Sequence, residues 1–206
     1  MQPFNFVSAV AAALPIENVN TDAIIPVRWI VNIGQDLGKG LFGGWRYRPD
    51  ETENPDFVLN LPSFRSSRIL VSGANFGCGS SREEAVWALM GFGIRCVIAP
   101  SFGDIFFENS FKNGLLPIVL DSAKVSILLG ELAASATHLM TVDLERCVVE
   151  VLGGTAVDFA IDASRRQALL DGLDEIDQTL ARVAEFAEYR ERDRTRRPWI
   201  YDPSGR

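Results

Sequence analysis

The chain has one histidine, His138, and only three cysteines, Cys78, Cys96 and Cys147, in 206 residues. The cysteines stand far apart. That excludes a disulfide framework, the close spacings of a zinc site and those of a ferredoxin-like iron–sulfur site. A single histidine, in a stretch that follows a helical pattern, leaves no Ser–His pair for nucleophilic catalysis. No run is long and apolar enough to span a bilayer. Residues 7–14 resemble the apolar core of a signal peptide, but no basic residue precedes them and the first is Arg28. Positive charge is also short: 20 Lys and Arg stand against 27 Asp and Glu, for a formal net charge of −7, which argues against a general nucleic-acid binder. A cytoplasmic protein is expected, poor in parts for chemistry of its own.

Apolar residues are plentiful: 47% of the chain is hydrophobic, ample for one large domain or a compact domain with an appendage. The pattern reads as a strand over residues 4–14 and an Asx-rich turn at 18–22. A glycine-rich stretch at 33–44 follows, expected to be a mobile loop rather than an element, and then an irregular wrap over 45–66. Strands at 68–73, 94–99 and 116–120 alternate with helices at 82–92 and 103–112, which implies parallel strands joined by crossovers. A further helix starts near Asp121 or Ser122. Three short strands follow, the last two joined by a hairpin turn at Gly153-Gly154. Helices are expected at 164–170 and 173–189, the second with an apolar stripe of Ile176, Leu180, Val183, Ala184 and Ala187. The arginine-rich tail from Arg190 reads as a solvated end.

The most informative stretch is Asn75-Phe76-Gly77-Cys78-Gly79-Ser80-Ser81-Arg82-Glu83-Glu84, a glycine-rich turn between a strand and a helix. A helix N-terminus there favours an anion, and Gly77 and Gly79 permit close approach of a ligand. Ser80, Ser81 and Arg82 supply two hydroxyls and a guanidinium fork, as a small carboxylate or oxyanion site requires. Ser81 with Glu84 also reads as a capping box, which needs no ligand. Neither serine has the flanking glycines of a nucleophile elbow. Arg82 stands where a dinucleotide fingerprint needs glycine, and a P-loop ending is absent.

Three segments in order carry a resemblance: Asn20-Thr21-Asp22-Ala23-Ile24-Ile25-Pro26, the Asn75–Glu83 turn, and Phe111-Lys112-Asn113-Gly114-Leu115-Leu116-Pro117. A late Gly172-Leu173-Asp174 adds to it. Together they resemble the small subunits of 3-isopropylmalate dehydratases, in the aconitase superfamily. The resemblance implies an α/β fold, a swivelling β/β/α domain with a partly parallel sheet flanked by helices. One such domain over residues 1–206 is expected, with a helical, arginine-rich extension from about 173. It also implies a separate large subunit that carries a [4Fe-4S] cluster, and a dehydration and rehydration that converts 2-isopropylmalate to 3-isopropylmalate in leucine biosynthesis. Ser80 matches the family's catalytic base. Ser81 and Arg82 match groups that hold the substrate carboxylate, and Asp22 matches an acidic active-site residue, although an Asx-turn role also fits it. The family carries an arginine in the glycine-rich loop where this chain has Gln35, with Lys39 and Arg28 as candidate substitutes. Glu84 stands where the family usually has histidine. These departures keep open another alkylmalate as substrate, and a non-catalytic paralogue that binds a partner.

Overall fold

The computed structural model describes residues 1–31, 34 and 36–201. Its sheet contains β1 (Phe6–Leu14), β2 (Ile69–Ser72), β3 (Cys96–Ala99), β4 (Leu116–Val119), β5 (Leu139–Asp143), β6 (Val148–Val151) and β7 (Ala156–Asp158). The strand order is β4-β3-β2-β1-β5-β6-β7. The long β1 joins two halves. Its C-terminal part runs parallel to β2, with Leu14 opposite Ser72, and β3 and β4 continue the parallel half. Its N-terminal part pairs antiparallel with β5, with Phe6 opposite Asp143, and β6 and β7 extend that side as a meander.

The parallel strands are buried on both faces, as their unbroken apolar runs require. Alternation sends Ile69, Val71, Cys96 and Ile98 to one face, where α6 (Ser122–Ala134) adds Val125, Leu128 and Leu132. Leu70, Val97 and Ala99 point to the other face, towards α4 (Glu84–Phe92) and its Ala85, Ala88 and Leu89. Between them β2, α4, β3, α5 (Asp104–Asn113) and β4 make the alternating unit expected from the pattern. Asp121 caps α6 by accepting from the Lys124 N–H at 2.8 Å.

The glycine-rich stretch departs from the reading as a loop without elements. It holds two helical turns, α2 (Leu37–Gly40) and α3 (Gly43–Arg46), after a first turn α1 (Thr21–Ile24). Gly38 lies so close to α4 that a Cβ on it would sit 2.4 Å from the Gly91 carbonyl carbon. The glycines here allow contact between backbones, which a sequence pattern does not separate from looseness. Arg46, only 6% exposed, ties the stretch together. Its Nε donates to Asn60 Oδ1 at 3.0 Å and its Nη1 to the Gly38 carbonyl at 3.3 Å, while its guanidinium lies 4.9 Å from the Phe92 ring centre. Burial lowers its pKa from the ordinary arginine value.

Past α7 (Ala163–Asp171) the single helix expected over 173–189 is instead α8 (Glu175–Leu180), a break, and α9 (Val183–Arg196), followed by α10 (Pro198–Tyr201). Asp174 caps α8. The break at Ala181 and Arg182 has neither glycine nor proline, so it leaves no local signal. The expected apolar stripe is not buried: Ile176 is 70% exposed. The arginine-rich stretch is helical, with Arg197 paired to Asp193 at 2.6 Å.

Candidate functional site

Three chain segments meet at the C-terminal ends of β1, β2 and β3, where open α/β sheets bind ligands. The turn after β2 is stitched to the β3–α5 connection. Asn75 N–H donates to Ser101 Oγ at 2.8 Å, Phe76 N–H to the Ser101 carbonyl at 3.0 Å, and Gly103 N–H to the Phe76 carbonyl at 2.9 Å. Ser101 thus lies on the same rim as the turn. On the other side the turn is fastened to the segment after β1. Gly77 N–H donates to the Val19 carbonyl at 2.7 Å and Thr21 N–H to the Cys78 carbonyl at 2.9 Å. Gly77 has φ +72°, and a Cβ on it would overlap Phe106 Cγ at 2.2 Å, so only glycine fits.

Ser80, Ser81 and Arg82 follow one another on this scaffold and Arg82 pairs with Asp22, while the hollow at Ser80 is lined by Cys78, Gly79, Gly103, Asp104 and Ile105 and not by Ser81, Arg82 or Asp22. Both serines are exposed, and neither hydroxyl takes part in a hydrogen bond among the described residues. The Ser80 carbonyl, by contrast, accepts from the buried Thr21 Oγ1 at 2.8 Å. The backbone is pinned while the side chain is unengaged. Arg82 is held from behind: its Nη1 donates to the Ile25 carbonyl at 3.4 Å and pairs with the Asp22 carboxylate. Nε and Nη2 make no hydrogen bond among the described residues and remain available to an acceptor. A guanidinium fixed on one side and open on the other, beside two unengaged hydroxyls, suits bidentate capture of a carboxylate.

The helix after the turn starts later than its pattern suggests. α4 begins at Glu84, not Arg82, and Glu83 occupies the cap position without a side-chain bond to the helix N–H groups. Ser81 and Glu84 therefore form no capping box. The Arg82 side chain is turned to Ile25 and Asp22, and Asn113 Nδ2 reaches the Glu83 carboxylate at 2.8 Å. Tertiary partners have taken residues that local pattern assigns to the helix.

Gln35 lies outside the described residues. Arg28 and Lys39 do not line the Ser80 depression, a hollow of about 270 Å³ between the turn and the start of α5. They border another hollow, of about 400 Å³, with Trp29, Tyr47 and Glu51, and Arg28 donates to the Gly43 carbonyl at 2.9 Å. The sequence reading did not single out Thr21, or Asp104 and Ile105 on the wall of the Ser80 hollow. Gly103-Asp104 at a strand-to-helix turn was the available signal for the wall. Thr21, inside a recognised motif, looked like any turn residue.

Among the described residues no group of three or more His, Cys, Asp or Glu side chains is placed to hold a metal ion. Burial drives the Cys96 thiol far above the ordinary cysteine range, which makes it inert. Cys147 gives its S–H to the Leu144 carbonyl. Cys78, half-buried in the turn, is the one thiol at the site. These residues do not fit an iron–sulfur cluster. His138 bonds the Leu132 carbonyl through Nδ1 at 3.0 Å and packs on Phe64, away from the site.

Residues 1–123 match the family model of the aconitase C-terminal domain. A 3-isopropylmalate dehydratase small subunit from Paramagnetospirillum magneticum is 50% identical over 201 residues, spanning 97% of this chain and all of that protein. One from Afipia carboxidovorans is 48% identical over the same shares. A crystal structure described as 3-isopropylmalate dehydratase from Methanocaldococcus jannaschii superposes with a TM-score of 0.66, covering 89% of this chain and 99% of that chain. At 22% identity that likeness speaks for the fold alone. The full-length relatives show that this chain belongs to the family of 3-isopropylmalate dehydratase small subunits, and the family model and the superposition give it the fold of the aconitase C-terminal domain.

Proposed function

We propose that this chain supplies half of a hydro-lyase active centre and works only with a separate large subunit that carries the [4Fe-4S] cluster. The reaction is the isomerisation of 2-isopropylmalate to 3-isopropylmalate by loss and return of water, a step of leucine biosynthesis. The observation that carries this reading is the contrast at Ser80: an exposed, unengaged hydroxyl on a backbone held by Thr21, two residues from a fixed guanidinium. When bound to the partner, the cluster would supply a Lewis-acidic iron for the substrate's hydroxyl and carboxylate.

The work of this chain is proton transfer and grip. Ser80, as an alkoxide, takes the proton from the carbon next to a carboxylate. The C–H electron pair becomes the C=C bond, and the neighbouring hydroxyl leaves as water with a proton from the partner's side. The hydroxyl of a water then adds to the carbon that lost its proton, the water's other proton returns to the partner's side, and Ser80 delivers its proton to the carbon that lost the hydroxyl, which yields the isomer. A serine hydroxyl is a poor base unless its anion is stabilised, and the Arg82 cation is the nearest support in the sequence. Arg82 and Ser81 hold the substrate carboxylate. Asp22, paired to Arg82, orients the fork instead of touching substrate. Gln35 remains the candidate for the second carboxylate or the alkyl group, by its position in the motif. The unpaired cysteines suit a reducing cytoplasm. No helix of the described residues is long and apolar enough to cross a membrane.

The test is reconstitution with the large subunit of the same organism, following absorbance of the unsaturated diacid across a panel of alkylmalates. Turnover is expected with 2-isopropylmalate. Ser80→Ala should lower kcat by about 10²–10⁴-fold with assembly intact. Near-normal kcat in that variant would remove Ser80 as the base, and turnover of a different alkylmalate alone would reassign the substrate.

A further inference from the structure

Ser80 lies in a stretch that no strand or helix holds. β2 ends at Ser72 and α4 starts at Glu84, and two glycines with positive φ, Gly77 and Gly79, precede the serine. On one side the Gly77 N–H and the Cys78 carbonyl are fastened to Val19 and Thr21. On the other, the Arg82 carbonyl accepts from the Ala85 N–H at 3.3 Å and leads into α4. Between these anchors Gly79, Ser80 and Ser81 make one backbone hydrogen bond among the described residues. It runs from Thr21 Oγ1 to the Ser80 carbonyl, across 59 positions of the chain.

The donor of that bond is better fixed than its acceptor. Thr21 is 2% exposed, its N–H gives to the Cys78 carbonyl at 2.9 Å, and its own carbonyl accepts from the Ile25 N–H at 2.9 Å. Asn20 caps α1 by accepting from the Ala23 N–H at 2.8 Å, and Ile24 and Ile25 are fully buried in the core. The same helical turn reaches the fork, since the Ile25 carbonyl and the Asp22 carboxylate hold Arg82. Hydroxyl and guanidinium are thus set from one turn through separate residues. A misplacement of about 1 Å costs a reacting group about 10²-fold in rate, so the one bond that fixes this backbone bears on the chemistry.

We propose that Thr21 is a positioning residue: its hydroxyl, acting through the Ser80 carbonyl, sets where the Ser80 side chain stands for proton transfer and leaves the grip on the carboxylate to Arg82. This rests on the reading of Ser80 as the base. Two signatures follow from the geometry. Loss of the bond lowers kcat without raising KM, because the contacts of Arg82 do not pass through Thr21. The effect also belongs to the hydroxyl of Thr21 and not to its methyl group.

The experiment compares Thr21→Val, which keeps the shape and loses the donor, with Thr21→Ser, which keeps the donor and loses the methyl group. In the enzyme reconstituted with its large subunit, Thr21→Val should lower kcat about 10–10²-fold with KM for 2-isopropylmalate within about twofold. Thr21→Ser should stay within about threefold of the wild-type kcat. In the isolated full-length chain, the amide NMR signals of Gly79, Ser80 and Ser81 should shift or broaden in Thr21→Val and keep their places in Thr21→Ser. The double variant Ser80→Ala/Thr21→Val should lose no more than Ser80→Ala alone, because Thr21 acts through Ser80. A packing role reverses the order, with serine harmful and valine harmless, and overturns the proposal. A kcat more than about tenfold down in Thr21→Ser does so whether or not Thr21→Val folds, and so do additive losses in the double variant. Near-normal kcat in Ser80→Ala sinks the base and this role together. An inactive Ser80→Ala beside a Thr21→Val with wild-type kcat sinks the role of Thr21 alone.

Discussion

Replacing Gly77 with alanine tests whether the turn is a rigid platform. Two costs add. Gly77 sits at φ +72°, a left-handed conformation that costs a residue with a Cβ about 1–2 kcal/mol. The new Cβ would also lie 2.2, 2.6 and 2.7 Å from three carbons of Phe106. Phe106 cannot yield freely, because it is 2% exposed and packs against Phe76 at 5.4 Å and Phe102 at 6.2 Å between ring centres. Forced overpacking of this kind costs about 1–3 kcal/mol. The sum is about 2–5 kcal/mol, against a total stability on the order of 5–15 kcal/mol. At about 2–4 °C per kcal/mol for a domain of this size, the thermal midpoint should fall by roughly 4–20 °C. Urea unfolding followed by circular dichroism measures it, with Gly130→Ala as control. Gly130 lies within α6 with nothing within 4 Å of its Cβ position, so alanine there should stabilise by up to about 1 kcal/mol. A Gly77→Ala loss under about 1 kcal/mol would show that the turn bends to accept the methyl group, and the rigid platform would be lost as a premise.

Arg82→Lys keeps the charge beside Asp22 but removes the fork, so KM for the diacid should rise about tenfold or more in the reconstituted enzyme while Ser80 stays in place. Unchanged steady-state kinetics would show that the fork is not used. Arg46→Met keeps the aliphatic stem but leaves Asn60 Oδ1 and the Gly38 carbonyl without their donor, an expected loss of about 2–5 kcal/mol by urea titration. A loss under about 1 kcal/mol would mean that water replaces the guanidinium. The pH response of the C-terminal arm, α9 with α10, follows from Asp193, whose carboxyl is held below its ordinary value chiefly by the hydrogen bond from Arg197. Its stabilisation is complete above the ordinary aspartate value, near pH ~3.9, and fades as pH falls through the lowered folded value. Trp199 fluorescence should therefore hold steady down to that range and change below it. Asp193→Asn should show the acid signal at neutral pH, and a transition centred well above pH ~5 would contradict the assignment.

Most of the sheet was legible in the sequence because its strands are unbroken apolar runs bounded by proline, glycine and capping residues. Cys96–Ala99 before Pro100, and Asp121 at the start of α6, are read from local chemistry alone. The candidate site was legible as a motif, since a glycine-rich turn followed by Ser-Ser-Arg states which groups are offered. Where local pattern misled, a distant partner had intervened. The capping box at Ser81 failed because Arg82 is drawn to Ile25 and Asp22. The glycine-rich stretch reads as a loop because no window of sequence reveals that Gly38 faces Gly91 across a helix contact.

The C-terminal arm shows the same division from the other side. Its amphipathic spacing predicted a helix, but spacing cannot say whether an apolar stripe faces its own core or a neighbour. What the chain settles by itself is the identity of the chemical groups and the period at which they recur, both properties of adjacent residues. Which hydroxyl stays unbonded, which guanidinium is held from behind, and which aromatics stay exposed depend on residues far apart in the chain. Only folding brings Thr21 under Ser80 and Tyr201 onto Asp193.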